Sequence, residues 1–455
     1  MPNIIAAIST AQAPGGIGVI RISGPGALEV ADRVFFAKKK NKLQQAKGYT
    51  AHFGEIRDEN GDKLDEAVAT VFRAPHSFTG EDVAELSCHG GLYLLRRVLS
   101  AVYAAGASPA GPGEFTRRAF LNGKMDLAQA EAVMGVIGAG GEQALRAARA
   151  GQDGALSKKI NSIRENLILL AGDLAAWADY PDDDVPQVDE ELLKNGLCRA
   201  KNTLQELLAT FDTGRILREG VDTVIAGRPN AGKSSLMNLL SGCERSIVTE
   251  YAGTTRDVVE ETVLLGDVPL KLADTAGIRE TDDPVEQIGV HRALGRVENA
   301  QLVFAVFDVS RPLNDDDKKL TEALQGVPCV AVVNKTDLPA AADEDYLRQN
   351  FGHIVFLSAK TGDGFEALKK ETELVLGTAG LDPAAGVLFT ERQRNDVRRA
   401  LEAVTEAEDA LLLGMTLDAV TVSLEGALSA LMELTGERVS DAVVDSVFER
   451  FCVGK

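Results

Sequence analysis

The spacing of apolar residues divides the chain into stretches with different predicted structure. From residue 1 to about 120, short apolar runs alternate with turns. Residues 18–23 and 67–72 have the composition of strands, whereas residues 27–35 and 92–104 have the periodicity of helices. This alternation predicts a small N-terminal domain of the α/β or α+β type.

From Asp126 onward the apolar period becomes that of helices packed against other helices. Apolar residues recur every three or four positions in two stripes, which the acidic segment 179–184 separates. The stripes comprise Ile160, Ile163, Leu167, Leu170, Leu174 and Trp177, and then Leu193, Leu197, Ala200, Leu204, Leu207 and Phe211. Both stripes indicate the core of a helical bundle rather than a cofactor site.

A region of short apolar strands then interrupts the helical pattern. Helical periodicity returns at 391–413, 417–435 and 440–451, after a stretch rich in Gly, Ala and Pro at 377–386. The simplest arrangement is one helical domain made of two chain segments, with another domain inserted between them. We therefore expect an N-terminal domain at 1–120, helical segments at 121–215 and 381–455, and an inserted domain at 216–380.

Composition narrows the class of protein. The length of 455 residues suits about three domains, and 45% hydrophobic with 25% charged residues is typical of a globular protein. The net charge of −20 argues weakly against nucleic acid as a general partner. We expect the basic groups at 38–42 and 117–118, and the arginines between 392 and 399, to be solvated surface.

Cysteine usage and the N-terminal residues bear on location. The five cysteines, at positions 88, 198, 243, 329 and 452, form no C-x-x-C pair, which argues against a disulfide framework or a zinc site. The start of the chain lacks the pattern of a secretory leader, and no apolar run is long enough to span a membrane. The sequence therefore predicts a cytoplasmic protein with no membrane partner.

Residues 227–234 (GRPNAGKS) have the pattern of a phosphate-binding loop, between a predicted strand at 223–226 and a helix that begins at 235. The glycines allow backbone N–H groups to turn towards phosphate oxygens at the N-terminus of that helix. Lys233 is placed to reach the β and γ oxygens of a nucleoside triphosphate, and the Ser234 hydroxyl to bind Mg²⁺.

Three further nucleotide motifs follow in order: 253–257 (GTTRD), 274–277 (DTAG) and 334–337 (NKTD). Thr255 is placed to complete the Mg²⁺ shell. The Asp337 carboxylate can accept from N1–H and the 2-amino group of guanine, donors that adenine lacks at these positions. Residues 358–360 are placed to close over the base. The four motifs together predict that the chain binds and hydrolyses GTP.

One position departs from small signalling GTPases. Those proteins place a glutamine directly after D-x-x-G to orient the attacking water, whereas this chain has Ile278 there. The following segment, 279–286, is rich in carboxylates, but its chemistry alone selects no single residue.

The chain resembles the MnmE (TrmE) family, the tRNA modification GTPases of bacteria and organelles. The resemblance rests on 113–127 (GEFTRRAFLNGKMDL), the nucleotide motifs and the terminal 452–455 (CVGK), and covers the whole chain in the family's domain order. Val453, where the family commonly has isoleucine, is a conservative departure. The resemblance implies a multidomain fold of α/β plus α: an N-terminal α/β domain that binds tetrahydrofolate and dimerises, a discontinuous helical bundle, and an inserted Ras-like P-loop G domain.

The resemblance also implies a reaction and partners. The family acts with FAD-dependent MnmG (GidA), in a heterotetrameric complex, to place an aminomethyl or carboxymethylaminomethyl group on C5 of the tRNA wobble uridine. The one-carbon unit comes from 5,10-methylenetetrahydrofolate or a 5-formyl analogue. The implied folate contacts are Arg21, Glu85, Lys124 and Lys455, each of which could instead form a surface ion pair. Cys452 is an implied catalytic residue of the modification, as nucleophile or proton carrier, or a residue that only holds the tail.

The family further implies that K⁺ takes the place of an arginine finger. Asn230 matches a K⁺ ligand, and Thr249, Tyr251 and Thr254 would close round the ion. Ser234 and Thr255 would hold Mg²⁺, and Glu286 matches the carboxylate that orients water. The residues predicted to contact GTP are Asn230, Ala231, Gly232, Lys233, Ser234, Ser235, Thr249, Glu250, Tyr251, Ala252, Gly253, Thr254, Thr255, Asp274, Thr275, Ala276, Gly277, Asn334, Lys335, Asp337, Ser358, Ala359 and Lys360.

Two other classes of function are alternatives. A GTPase binding switch, such as a ribosome-assembly factor, could contain an identical G domain, but it would need neither the folate residues nor Cys452. A folate enzyme with a vestigial G domain is disfavoured because every nucleotide motif is intact. Retention of a reduced folate by the purified protein would distinguish the first alternative from the MnmE function.

Overall fold

The structure is a computed structural model that describes residues 3–39, 42–179, 189–243, 261–272, 300–380 and 382–454. Of residues 176–179, 243, 261 and 383 it describes the backbone alone. Within this described part, no helix is both long enough and apolar enough to cross a membrane.

The described strands and helices follow one another along the whole chain. The strands are β1 Ile5–Ile8, β2 Gly15–Ser23, β3 Phe35–Ala37, β4 Thr50–Arg57, β5 Lys63–Phe72, β6 Val83–Gly90, β7 Ser108–Pro109, β8 Val221–Ala226, β9 Glu261–Leu265, β10 Val268–Leu272, β11 Leu302–Asp308, β12 Cys329–Asn334 and β13 Ile354–Leu357. The helices are α1 Ala27–Val34, α2 Leu92–Ala104, α3 Glu114–Leu121, α4 Leu127–Gly138, α5 Glu142–Gln152, α6 Ala155–Asp179, α7 Glu190–Ala209, α8 Phe211–Glu219, α9 Lys233–Cys243, α10 Asp315–Ala323, α11 Glu344–Asn350, α12 Phe365–Val375, α13 Glu391–Leu412, α14 Leu417–Thr435 and α15 Asp441–Phe448.

Contacts divide the chain into two compact units, Met1–Met134 with Ser429–Lys455, and Gly135–Leu428. The first unit contains a sheet of order β3-β4-β5-β6-β2-β1-β7, in which neighbours are antiparallel except β1 and β7. Along β5, Ala67, Ala69 and Val71 are buried while the residues between them are more exposed, the alternation of a strand with one covered face. Helices α1 and α2 cover that face through Leu28 and Val98. The predicted combination of strands and helices is confirmed.

The helical part of the second unit is built on the two predicted stripes. The stripe residues from Ile160 to Leu174 and from Leu193 to Phe211 all have buried side chains. Of Trp177, the last residue of the first stripe, the structure describes only the backbone. Helix α13, which follows the inserted domain, packs on α7. Lys201 Nζ lies 2.6 Å from Glu408 Oε2, and the Arg394 guanidinium lies 4.6 Å from the centroid of the Phe211 ring. A helix from after the inserted domain thus packs with helices from before it, as a discontinuous helical domain requires, while the predicted bounds of that domain stay a prediction.

The inserted domain contains a sheet of order β13-β12-β11-β8-β10-β9. Its neighbours are parallel except β9 and β10. Every residue of β11 is buried, as expected of a parallel strand covered on both faces. The register sets Asp308 of β11 beside Asn334 of β12, at the carboxyl ends of both strands. Ligands of such sheets bind at this edge, and the P-loop and the 334–337 motif follow strands that end there.

The C-terminal tail is held in the first unit. The last helix ends at Phe448, earlier than the predicted 451, and Val453 then forms a bridge with Pro112. Ser9 Oγ donates to the carbonyl oxygen of Gly454 at 3.0 Å. A Cβ on Gly454 would lie 2.3 Å from the carbonyl oxygen of Ile8, so glycine is required for this close approach.

Candidate nucleotide site and a cluster in the N-terminal unit

The P-loop, residues 227–234, connects β8 to α9, as predicted. Gly232 has a φ of +100°, and a Cβ there would lie 2.1 Å from Asn334 Nδ2. A Cβ on Gly227 would lie 2.5 Å from the carbonyl oxygen of Val306. Both glycines are therefore required because a side chain would collide with a neighbouring strand. At Gly232 the positive φ is a second reason, since residues with a Cβ rarely adopt it.

Lys233 is turned towards the loop that carries it. Its Nζ donates to the carbonyl oxygens of Gly227 at 3.0 Å and Arg228 at 2.9 Å. The ammonium group thus lies over the P-loop, at the positive end of the α9 dipole. The combination of cation, helix N-terminus and glycine loop suits a phosphate group.

Asn334 joins the two halves of the site. Its side chain is 1% exposed, and Nδ2 donates to the carbonyl oxygen of Ala231 at 3.1 Å. Its Oδ1 accepts from the N–H of Ala359 at 3.0 Å. Asn334 therefore connects the P-loop to the 358–360 loop, so that the phosphate and base regions hold a fixed geometry.

Lys335 makes a second connection. Its Nζ donates to the carbonyl oxygen of Asn230 at 2.7 Å and to Asp308 Oδ2 at 2.7 Å. Burial alone would raise the pKa of Asp308, but hydrogen bonds from Lys335 and Ser310 outweigh it, and the pKa is lowered. Sequence reasoning missed Asp308. A signal was available in the sequence: the apolar strand β11 ends in the carboxylate of Asp308, just as the next strand, β12, ends in the polar residue Asn334.

Asp337 lies at a cavity of about 570 Å³, a volume typical of small-ligand sites. Its Oδ1 accepts from Ser358 Oγ at 2.8 Å, which orients the carboxylate. The cavity is lined by Ser235, Asn238, Leu239, Asn334, Lys335, Asp337, Leu338, Ala359 and Lys360. The predicted base-recognition residues are therefore brought together, and Asn238, Leu239 and Leu338 are walls that the sequence motifs did not indicate.

The remaining predicted nucleotide residues and one folate residue lie outside the described residues, so their placement stays a prediction. They are Thr249, Glu250, Tyr251, Ala252, Gly253, Thr254, Thr255, Asp274, Thr275, Ala276, Gly277, Glu286 and Lys455.

In the N-terminal unit, Arg21 and Glu85 are brought together. They face each other in the β2–β6 register, and Arg21 Nε lies 2.8 Å from Glu85 Oε1. The Arg21 guanidinium lies 5.7 Å from the centroid of the Phe78 ring and 5.5 Å from that of Phe115. The two residues thus form the ion pair that was the alternative to folate binding, in a partly exposed setting beside two aromatic rings.

Lys124 and Cys452 belong to neighbouring segments rather than to this ion pair. Lys124 Nζ donates to the carbonyl oxygen of Pro75 at 3.0 Å, on the segment that leads to Phe78. The carbonyl oxygen of Cys452 accepts from the N–H of Gly113 at 3.3 Å, just before the helix that carries Phe115. The cysteine itself is exposed.

The expectation of a solvated surface at 117–118 is wrong for Arg118. Its side chain is 11% exposed and lies 3.2 Å from Glu81 and 2.9 Å from Glu114. It also donates to the carbonyl oxygen of Asn3. Carboxylates from a loop and from its own helix surround the guanidinium, and the pairing with Glu81 is one that local sequence does not reveal.

The parallel sheet, the P-loop and a cavity formed by the N-K-x-D motif define a P-loop nucleotide-binding protein of the GTPase class.

The sequence model for the MnmE helical domain matches residues 127–452, and that for the GTP-binding protein TrmE N-terminus matches residues 4–124. The tRNA modification GTPase MnmE of Symbiobacterium thermophilum is 44% identical over 454 residues, 99% of each chain. That of Geobacter sulfurreducens is 43% identical over 459 residues, 100% of this chain and 99% of the relative. The chain belongs to the MnmE family.

Proposed function

We propose that the chain hydrolyses GTP and, with MnmG, modifies C5 of the tRNA wobble uridine with an aminomethyl or carboxymethylaminomethyl group. The observation that carries the GTPase part is the connection of the Asp337 cavity to the P-loop through Asn334 and Lys335. The tRNA part rests on membership of a family whose relatives are named tRNA modification GTPases. A tRNA substrate also favours the cytoplasmic location predicted from the sequence.

Guanine recognition is assigned to Asp337. Ser358 donates to one of its carboxylate oxygens, which aims the group at the cavity. In Asp337→Asn an amide replaces the acceptor, and it can donate to the 2-oxo group of xanthine. We expect preference to shift from GTP to XTP, measured by competition binding. Retained preference for GTP would assign base recognition to another loop.

Hydrolysis is assigned to K⁺, Mg²⁺ and Glu286. Asn230 and Ser234 lie on the P-loop and carry the oxygen ligands that these hard cations prefer. Because Lys335 Nζ donates to the main-chain carbonyl of Asn230, we assign the K⁺ contact to the side-chain amide oxygen. Asn230 would hold K⁺ and Ser234 would hold Mg²⁺, and the two cations would supply positive charge against the negative charge that develops on the phosphates.

The test is GTP turnover in KCl and in NaCl. We expect faster turnover in KCl, and a large loss in Glu286→Ala at unchanged GDP affinity, because the carboxylate would act on water rather than on the nucleotide. Glu280→Ala, in the same acidic segment, is the matched control. Equal rates in the two salts would exclude the K⁺ assignment, and an unimpaired Glu286→Ala would exclude that residue.

Folate binding is assigned to Arg21, Glu85, Lys124 and Lys455, with 5,10-methylenetetrahydrofolate or a 5-formyl analogue supplying the one-carbon unit when bound. The described residues fit such a group. Glu85 is a partly exposed acceptor for the donor edge of a pterin, and the exposed Phe78 ring lies beside its partner Arg21. Equilibrium dialysis with 5-formyltetrahydrofolate tests this, and absence of binding would favour the GTPase-switch alternative.

We also propose a homodimer through the N-terminal unit. On the outer face of its sheet, Phe36, Phe53 and Val68 are 48%, 48% and 38% exposed, and Phe53 and Val68 are register partners. An apolar face of this kind is typical of an interface. Phe53→Glu should shift the sedimentation of the protein to that of a monomer, whereas an unchanged dimer would place the interface elsewhere.

A further inference from the structure

The P-loop contains a second cation, Arg228, whose side chain turns away from Lys233 and towards α10. Its side chain is 11% exposed, and Nη1 lies 3.1 Å from Asp317 Oδ2. The same nitrogen donates to the carbonyl oxygen of Pro312 at 3.3 Å. A P-loop arginine would be expected to bind phosphate from its charge alone, but this guanidinium instead attaches the loop to a neighbouring helix.

Asp317 is fixed in place. It is 1% exposed and lies in the first turn of α10, where it and Asn314 form a capping box. Asp317 Oδ2 accepts from the N–H of Asn314 at 3.1 Å, and the N–H of Asp317 donates to Asn314 Oδ1 at 3.0 Å. The Asp317 carboxylate is therefore held in place on α10, and the ion pair attaches the P-loop to that helix.

The contact between Arg228 and Asp317 is an ion pair at 3.1 Å, and it is not the two-bonded fork that these groups can form. Within the part of the chain that the structure describes, Arg228 Nη2 and Asp317 Oδ1 are both buried and have no hydrogen-bond partner. An unpaired buried donor and acceptor are unfavourable, and a guanidinium and a carboxylate can form two parallel bonds. A two-bonded fork between the guanidinium and the carboxylate would satisfy both atoms at once.

The main chain of Arg228 links this ion pair to the phosphate site. Its carbonyl oxygen accepts from Lys233 Nζ at 2.9 Å and from the N–H of Ala231 at 3.3 Å. When the phosphates of GTP or GDP attract the ammonium group of Lys233, the peptide at residue 228 loses one of the bonds that hold it. The guanidinium carried by that residue is then able to adjust.

We propose that Arg228 and Asp317 are positioning residues for the nucleotide, and that Arg228 Nη2 donates to Asp317 Oδ1 when GTP or GDP occupies the P-loop. The proposal rests on the proposed GTP binding. An ion pair of equal strength in the free and bound states would support the fold without changing affinity. One that strengthens on binding must increase nucleotide affinity by the same free energy.

The test measures the Kd of a fluorescent GDP analogue and, separately, the Tm without nucleotide. The variants are Arg228→Lys, Asp317→Asn and the double variant, with Arg348→Lys on the exposed face of α11 as the matched control. Lysine keeps the charge but cannot form the two-bonded fork. We expect Arg228→Lys to weaken binding roughly tenfold, as for loss of one charge-assisted hydrogen bond, and to leave the nucleotide-free Tm within a few degrees of wild type.

The double variant should bind about as weakly as either single variant, because both remove the same bond. The proposal would be overturned if Arg228→Lys bound the GDP analogue with wild-type affinity. It would also be overturned if the Kd of the double variant rose by the product of the two single-variant factors. Should Asp317→Asn fail to fold, Arg228→Lys alone decides the outcome. If wild-type protein binds no GDP, the proposed function fails and this proposal with it, whereas normal wild-type binding with unchanged variants defeats only this proposal.

Discussion

The nucleotide site and the Arg21–Glu85 cluster both contain cations beside carboxylates, but different parts of the protein hold them. In the nucleotide site, Lys233 and Lys335 donate to main-chain carbonyls of the P-loop. In the N-terminal cluster, Arg21 is held by a side chain on the neighbouring strand and lies beside two aromatic rings. The first arrangement fixes backbone geometry, whereas the second depends on tertiary packing.

This difference determines what each site tolerates. A backbone cradle requires glycine where neighbouring atoms approach closely, so small changes there are severe. The Arg21–Glu85 pair joins two side chains that both keep some access to solvent, so we expect its residues to be exchangeable with the fold preserved. Substitutions of the P-loop glycines and of Asp308 should therefore change binding and stability together, and substitutions in the N-terminal cluster should change ligand binding alone.

Gly232→Ala should have the largest effect. The added Cβ would lie 2.1 Å from Asn334 Nδ2 at a φ of +100°, so the P-loop must move or lose its connection to the base region. We expect GDP affinity to fall at least ~100-fold, equivalent to about 2.7 kcal/mol or more. Fluorescence titration measures this loss.

Gly242→Ala is the matched control for that change. Gly242 lies in the same helix that follows the P-loop, and no atom lies within 4 Å of an added Cβ. Alanine should keep affinity unchanged and raise stability by up to about 1 kcal/mol. Near-normal binding by Gly232→Ala would show that the loop is less constrained than its contacts indicate.

Asp308→Asn should have the next largest effect. The variant removes the carboxylate that holds Lys335, and we expect GDP affinity to fall roughly tenfold and Tm to decrease. Because hydrogen bonds lower the pKa of Asp308 against the effect of burial, its stabilisation is present above the ordinary pKa of 3.8 and is lost as pH falls towards the lowered folded-state pKa.

Thermal unfolding across pH tests that assignment. The Tm difference between wild type and Asp308→Asn should be constant from pH 7 to about pH 5 and should shrink below the ordinary pKa. Asp315→Asn, at an exposed position on α10, is the control. A difference that grows on acidification would contradict the lowered pKa.

The same distinction explains how much the sequence could predict. The stripes ending at Leu174 and Phe211 are local patterns, so helix periodicity located them correctly. Other contacts depend on residues that are distant in sequence. Asp308 pairs with Lys335, and Arg118 pairs with Glu81. The last helix ends at Phe448 rather than 451 because the tail pairs with Pro112, a contact that no local pattern contains.

Arg21→Gln and Glu85→Gln should separate the two sites. Each removes one charge of a partly exposed ion pair, so we expect GDP affinity and Tm to stay close to wild type while binding of 5-formyltetrahydrofolate falls at least ~10-fold. Arg33→Gln, on the exposed part of the same unit, is the control. Unchanged folate binding in both variants would leave the Arg21–Glu85 pair as a structural contact.

Cys452→Ser should have the smallest effect on the nucleotide site and on stability. The residue holds the tail through its main-chain carbonyl, and its exposed thiol is not needed for that contact. GTP turnover in KCl and Tm should therefore match wild type. Wobble-uridine modification reconstituted with MnmG should fall, because the exposed thiol is available as nucleophile or proton carrier. Cys198→Ser, at another exposed cysteine, should retain modification. Full modification by Cys452→Ser would show that the terminal thiol takes no part in the chemistry.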